Sequence, residues 1–127
     1  MKKVMVAYGT RPEAIKVAPV VTCLSGSDVL EPVVAVTGQH REMLDQVNQI
    51  FGITPSHDLT VFEPGQSLNR LASKVLAGME DLLIETTPDC LLVQGDTTTV
   101  AMAALAAFHR EIPVVHLEAG LRSGNIH

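Results

Sequence analysis

"CLLVQGDTTTVAMAALAAFHREIPVVHL", Cys90 to Leu117, holds a strand, a helix and a second strand in one run. Cys90 to Val93 is a short continuous apolar run, the mark of a strand buried on both faces. Thr98 to Arg110 is an alanine-rich helix, and Pro113 to Leu117 is another strand. Two strands joined through a helix pair in parallel by a right-handed crossover.

Outward from this unit the same alternation fills the rest of the chain. Val4 to Ala7 is a first buried strand, followed by a helix from Arg11 to about Leu24, bent at Pro19 and ended by Ser25-Gly26-Ser27. Val33 to Val36 is a second buried strand. Arg41 to Phe51 carries Met43, Leu44, Val47, Ile50 and Phe51 at helical spacing, and Gly52 closes it. His57 to Val61 fits a short edge strand. Ser67 to Ile84 repeats the helical period through Leu68, Leu71, Val75, Met79, Leu82 and Leu83. Apolar strands alternating with amphipathic helices predict an α/β fold, a doubly wound parallel sheet of Rossmann-like type.

Composition agrees with one compact domain. The chain has 127 residues, 46% of them hydrophobic, and a mean hydropathy of +0.26. With no Trp, one Tyr and three Phe, the core must be aliphatic. A net charge of −5 and a pI near 5.4 exclude a nucleic-acid or anionic-membrane partner, because phosphate binding needs a basic surface. The N-terminal "MKKVMVAYGTRPE" has an apolar run of only about five residues, too short for a signal peptide. No stretch approaches the roughly 20 apolar residues of a membrane span, so the reading is cytoplasmic. Cys23 and Cys90 show no CxxC spacing and are expected to be small core residues.

The polar residues are one-sided. Entering the strands the chain reads "LEP", "TTPD" and "REIP", ordinary turn chemistry. Leaving them it reads "GTRPEAIK", "TGQHRE", "QGDTTT" and "HLEAGLRSGN". Every dense cluster of Arg, His, Asp, Glu and Thr lies at a strand's carboxyl end, where open α/β sheets bind ligands.

In "YGTRPEAIK" Thr10 and Glu13 form a capping box and Pro12 falls in the first turn, so the helix start is well marked. Yet Arg11 and Lys16 add cations to a helix end that is already positive. An anion seated between them resolves the conflict, and a phosphate suits both amides and a guanidinium fork. The alternative is that Arg11 points into solvent and pairs with Glu13, and that Lys16 pairs with Glu13 one turn back. Asp96 and Glu118 each stand directly beyond a buried strand, where partial burial would raise their pKa values toward proton exchange near neutrality. Asp96 has a second reading as the N-cap of the helix that starts among Thr97, Thr98 and Thr99. His40 either touches a ligand or is a solvated loop residue.

No G-x-G-x-x-G follows the first strand and no G-x-x-x-x-G-K-[ST] exists, which removes the usual dinucleotide and P-loop sites. His116-Leu117-Glu118 matches half of a zinc deaminase motif, without the P-C-x-x-C half. No metal and no redox cofactor is expected.

Together "GTRPEAIK", "QHREMLDQV", "GDTTT" and "HLEAGLRSG" resemble the non-hydrolysing UDP-N-acetylglucosamine 2-epimerases. The resemblance implies the N-terminal half of a glycosyltransferase-B type fold, two Rossmann-like domains facing across a cleft. It implies interconversion of UDP-GlcNAc and UDP-ManNAc for polysaccharide biosynthesis, by anti elimination of UDP to 2-acetamidoglucal and re-addition with inversion at C2. It gives Asp96 and Glu118 as catalytic carboxylates, with Arg11 at the phosphates and Lys16 also contacting the nucleotide-sugar. Gln39 and His40 match a loop that in some members binds a second UDP-GlcNAc as activator. Here Glu42 follows Arg41, and Gly65 stands where activated members carry a cation. The resemblance further implies a homodimer for the full-length enzyme. Family members continue past "LRSGNIH" into a carboxylate-rich segment and a second domain. Residues 1–127 are therefore expected to be the N-terminal domain portion, with the second nucleotide-binding domain absent and the chain inactive alone. A glycosyltransferase of the same fold and a non-catalytic nucleotide-sugar-binding domain are the competing readings.

Overall fold

The computed structural model describes residues 1–38, 41–120 and 122–126, with Arg41 described in its backbone only. Nine elements follow in order: β1 (Lys2–Tyr8), α1 (Arg11–Ser25), β2 (Leu30–Val36), α2 (Arg41–Ile50), β3 (His57–Asp58), α3 (Leu68–Thr86), β4 (Cys90–Gln94), α4 (Thr98–His109) and β5 (Val114–Leu117). All pairings are parallel, in the order β3-β2-β1-β4-β5. The direction of winding reverses between β1 and β4, which is where a doubly wound sheet opens its crevice.

Strand residues alternate between two aliphatic layers, as the two-residue period requires. Met5, Ala7, Leu91 and Val93 face α3 and α4, packing on Val75, Met79, Leu83 and Ala103. Val4, Val6, Tyr8, Val34 and Leu92 face α1 and α2, packing on Ala14, Val17, Val21, Leu44 and Val47. Helices on both faces make the sheet doubly wound.

Three elements start on a threonine or serine cap. Thr10 caps α1 and accepts from the Glu13 amide, Ser67 caps α3 and accepts from that of Arg70, and Thr97 caps α4 and accepts from that of Val100. Helix α1 continues as one element through Pro19, whose side lies on the exposed face.

Three expectations need correction. Cys23 is exposed and Cys90 half-buried. The buried stripe of α1 runs through Ala14, Val17, Ala18, Val21 and Leu24, and Cys23 falls outside it. In α2 only Leu44 and Val47 of the five apolar residues are buried, while Ile50 is 78% exposed. Strand β3 is two residues long, not five, because the Asp58 side chain accepts from both the amide and the hydroxyl of Thr60. That turn holds Thr60 at φ +47, a left-handed conformation that ends the strand. Strand β5 lies at one of the two edges of the sheet that these 127 residues form, and its four residues are exposed there.

The core contains one aromatic hydrogen bond. Tyr8 at the end of β1 is fully buried and donates to Asn48 Oδ1 on α2 at 2.6 Å. Burial pushes its phenol pKa up to about 12, against the opposing pull of Asn48. Asn48 Nδ2 has no partner, so this amide depends on the tyrosine for what satisfaction it has. Tyr8→Phe strands a buried acceptor and is expected to cost roughly 1–3 kcal/mol in a denaturant titration. An unchanged midpoint would show that Asn48 finds another donor.

Candidate functional site

A cleft of about 1070 Å³ runs across the carboxyl ends of β1, β4 and β5. The turn into α1 contributes Thr10, Arg11, Glu13 and Lys16, the turn after β4 contributes Gln94 to Thr97, and the segment after β5 contributes Glu118 and Arg122. The structure thus brings Arg11, Lys16, Asp96 and Glu118 together from three separate segments of the chain, within residues 10–16, 94–97 and 118–122. Gln39 and His40 lie outside the described residues.

Each local alternative can now be weighed. Thr97, and not Asp96, caps α4. Asp96 is exposed in the cleft and makes no side-chain hydrogen bond among the described residues. Arg11 and Lys16 are exposed as well, with no ion pair to Glu13 or any other described residue. The N-termini of α1 and α4 both open on the cleft, so its floor is lined with positive helix ends, and two uncommitted cations stand above them.

Partial burial had been expected of Asp96 and Glu118, but both are exposed. Glu118 Oε1 accepts from the amide of Ala119 at 2.9 Å. The buried carboxyl of the site is Glu13, only 2% exposed. It accepts from Thr10 Oγ1 in a short hydrogen bond and from Thr97 Oγ1 at 3.3 Å, and the backbone N–H groups of Gly9 and Thr10 also face it. Burial raises its pKa, although every one of these hydrogen bonds pulls the other way. Sequence reasoning took Glu13 for a helix cap alone. The signal lay in the capping box, but its burial depends on β4 lying beside β1.

His116 was also missed as a site residue. Its Nε2 donates to the Gly95 carbonyl at 2.7 Å, and the Gly95 amide donates to Leu117 O. Gly95 itself sits at φ +89, a left-handed conformation in which a side chain would be strained, although a Cβ there would meet Glu13 and Glu118 only at ordinary van der Waals distance.

Glu13 makes stability depend on pH. The folded state holds its proton more tightly than the unfolded chain does, so protonated Glu13 stabilises the fold below the unfolded pKa. That contribution is lost as the pH rises through the raised folded value. Glu13→Gln, uncharged throughout, should therefore gain in Tm relative to the wild type as the pH rises above the ordinary carboxyl range. A gap that is constant with pH, or that closes, would show the carboxyl to be ionised at no cost.

No helix among the described residues is long and apolar enough to cross a membrane. Nor do those residues contain a group of three or more His, Cys, Asp or Glu able to hold a metal ion.

A doubly wound parallel sheet with a cleft of cations and carboxylates at its switch point defines a Rossmann-like α/β protein. The family model for UDP-N-acetylglucosamine 2-epimerase matches residues 22–127. The chain belongs to that family. It is 50% identical over 125 residues to the UDP-N-acetylglucosamine 2-epimerase of Escherichia coli K12, covering 98% of this chain and 33% of the relative. To the Yersinia pestis protein of the same name it is 51% identical over 125 residues, again 98% of this chain and 33% of the relative. The crystal structure of the Neisseria meningitidis enzyme bound to UDP-GlcNAc superposes with a TM-score of 0.91 at 48% identity, covering 98% of this chain and 34% of that one. The chain spans about a third of the length of the curated relatives it matches.

Proposed function

We propose that this chain forms one wall of the active site of a UDP-GlcNAc 2-epimerase, interconverting UDP-GlcNAc and UDP-ManNAc. The observation that carries the reading is the meeting of Arg11, Lys16, Asp96 and Glu118 in one cleft of a chain belonging to the epimerase family. In this reading one carboxylate removes the C2 proton, the C1–O bond breaks toward UDP, and a C1=C2 double bond remains. Arg11 and the helix N-termini hold the departing diphosphate, where preorganised charge counts most. UDP then returns to C1 while the second carboxylic acid delivers a proton to the opposite face of C2. Asp96 and Glu118 flank the sugar for these two transfers, and Lys16 contacts the nucleotide-sugar.

The cleft described has one wall, and its Arg11, Lys16, Asp96 and Glu118 are open to water, where contacts with phosphate are weak. A second, facing domain supplies the other wall in this proposal, consistent with relatives three times as long. The 127-residue chain should melt cooperatively, bind UDP only near the millimolar level and not epimerise UDP-GlcNAc. Joined to the remaining two-thirds of the E. coli relative, it should form UDP-ManNAc and take up deuterium at C2 in deuterated water, followed by proton NMR. A folded fusion that does neither overturns the epimerase reading. Turnover by the 127-residue chain overturns the need for a second wall.

A further inference from the structure

Among the described residues, Glu13 is the buried ionisable group of the cleft to which the reaction outlined above assigns no part, and its contacts reach further than a helix cap requires. A capping-box glutamate serves its own helix and can do so from the surface. Glu13 instead is buried, and while one oxygen takes the Thr10 hydroxyl, the other takes the hydroxyl of Thr97, 84 residues along the chain. Thr97 directly follows Asp96 and caps α4. On its other side the same turn is held by His116 of β5, through the Gly95 carbonyl. Gly95 to Thr97 is thus gripped from α1 and from β5, and the Asp96 carboxylate between the two grips has no hydrogen bond among the described residues. Burying a carboxyl group is unfavourable unless its contacts are needed, and the helix cap needs only the first of them.

We propose that Glu13 is a positioning residue for the epimerase reaction: its carboxyl group ties the turn that carries Arg11 to the turn that carries Asp96. It thereby sets the span between the group that holds the phosphates and the group that works at C2. The proposal rests on the reading of Asp96 and Arg11 given above. Glu13 itself is too enclosed to touch the sugar, and it acts through Thr97 and Thr10.

The test uses the fusion of this chain with the rest of the E. coli relative. Glu13→Ala should lower kcat roughly 10²-fold, as a misplacement of about 1 Å does, while KM for UDP-GlcNAc changes less than about threefold. Glu13→Gln, which keeps one acceptor and the side chain's shape, should recover most of the loss. Thr97→Val combined with Glu13→Ala should cost little more than either alone, because both cut the same tie. A raised KM with unchanged kcat, or fully additive losses, would overturn the proposal. A second arm needs no activity. In the 127-residue chain, Glu13→Ala should shift the backbone amide NMR signals of Gly95, Asp96 and Thr97, and Glu13→Gln should shift them less. Shifts confined to residues 9–14 would leave Glu13 a helix cap and overturn the tie. An inactive wild-type fusion would sink the functional reading, and the NMR arm would still decide the tie.

Discussion

Asp96→Asn and Glu118→Gln, each placed in the fusion with the rest of the E. coli relative, should lower kcat for epimerisation by at least ~10²-fold, as removal of a general acid or base does. Both residues are exposed in the cleft, Asp96 caps no helix, and neither packs in the core, so the melting temperature should stay near wild type. The two variants should also differ by direction. A base for UDP-GlcNAc is the acid for UDP-ManNAc, so deuterium wash-in at C2 separates the roles: one variant should lose exchange from UDP-GlcNAc first and the other from UDP-ManNAc. Near-normal turnover by either variant would remove that residue from the chemistry.

Arg11→Ala should lose roughly 2–4 kcal/mol in kcat/KM, the range for removing a group that stabilises developing negative charge. The physical basis is the absence of any other occupation for this side chain among the described residues. Arg11 makes no ion pair with them, and α1 is already capped by Thr10 and closed by Glu13. A cation held against a positive helix end, with no protein anion beside it, slightly disfavours folding. Arg11→Ala should therefore leave Tm unchanged or raise it a little, and isothermal titration should show weaker UDP binding. Unchanged kinetics with a fall in Tm would make Arg11 a structural residue and undo the phosphate assignment.

Much of this was legible before any coordinates. Buried runs such as Val4 to Ala7 and Cys90 to Val93 carry the mark of strands covered on both faces, and the capping box at Thr10 and Glu13 marks where the first helix starts. Polar clusters confined to strand carboxyl ends locate the cleft. Those inferences succeed because each depends on near neighbours in the chain. Backbone period, capping and turn chemistry act over a few residues, so a linear reading captures them.

What needed tertiary structure depends on which strands stand side by side. The order β3-β2-β1-β4-β5 sets β1 against β4, so the first turn of α1 meets a turn more than 80 residues later. That adjacency buries Glu13 beside Thr97, which caps α4, and leaves Asp96 exposed in the cleft with no hydrogen bond among the described residues. Burial is a property of what packs against a residue. The same carboxylate at position 13 is an exposed cap in an isolated helix and an enclosed tie in this fold, because desolvation comes from neighbours that only the assembled sheet supplies.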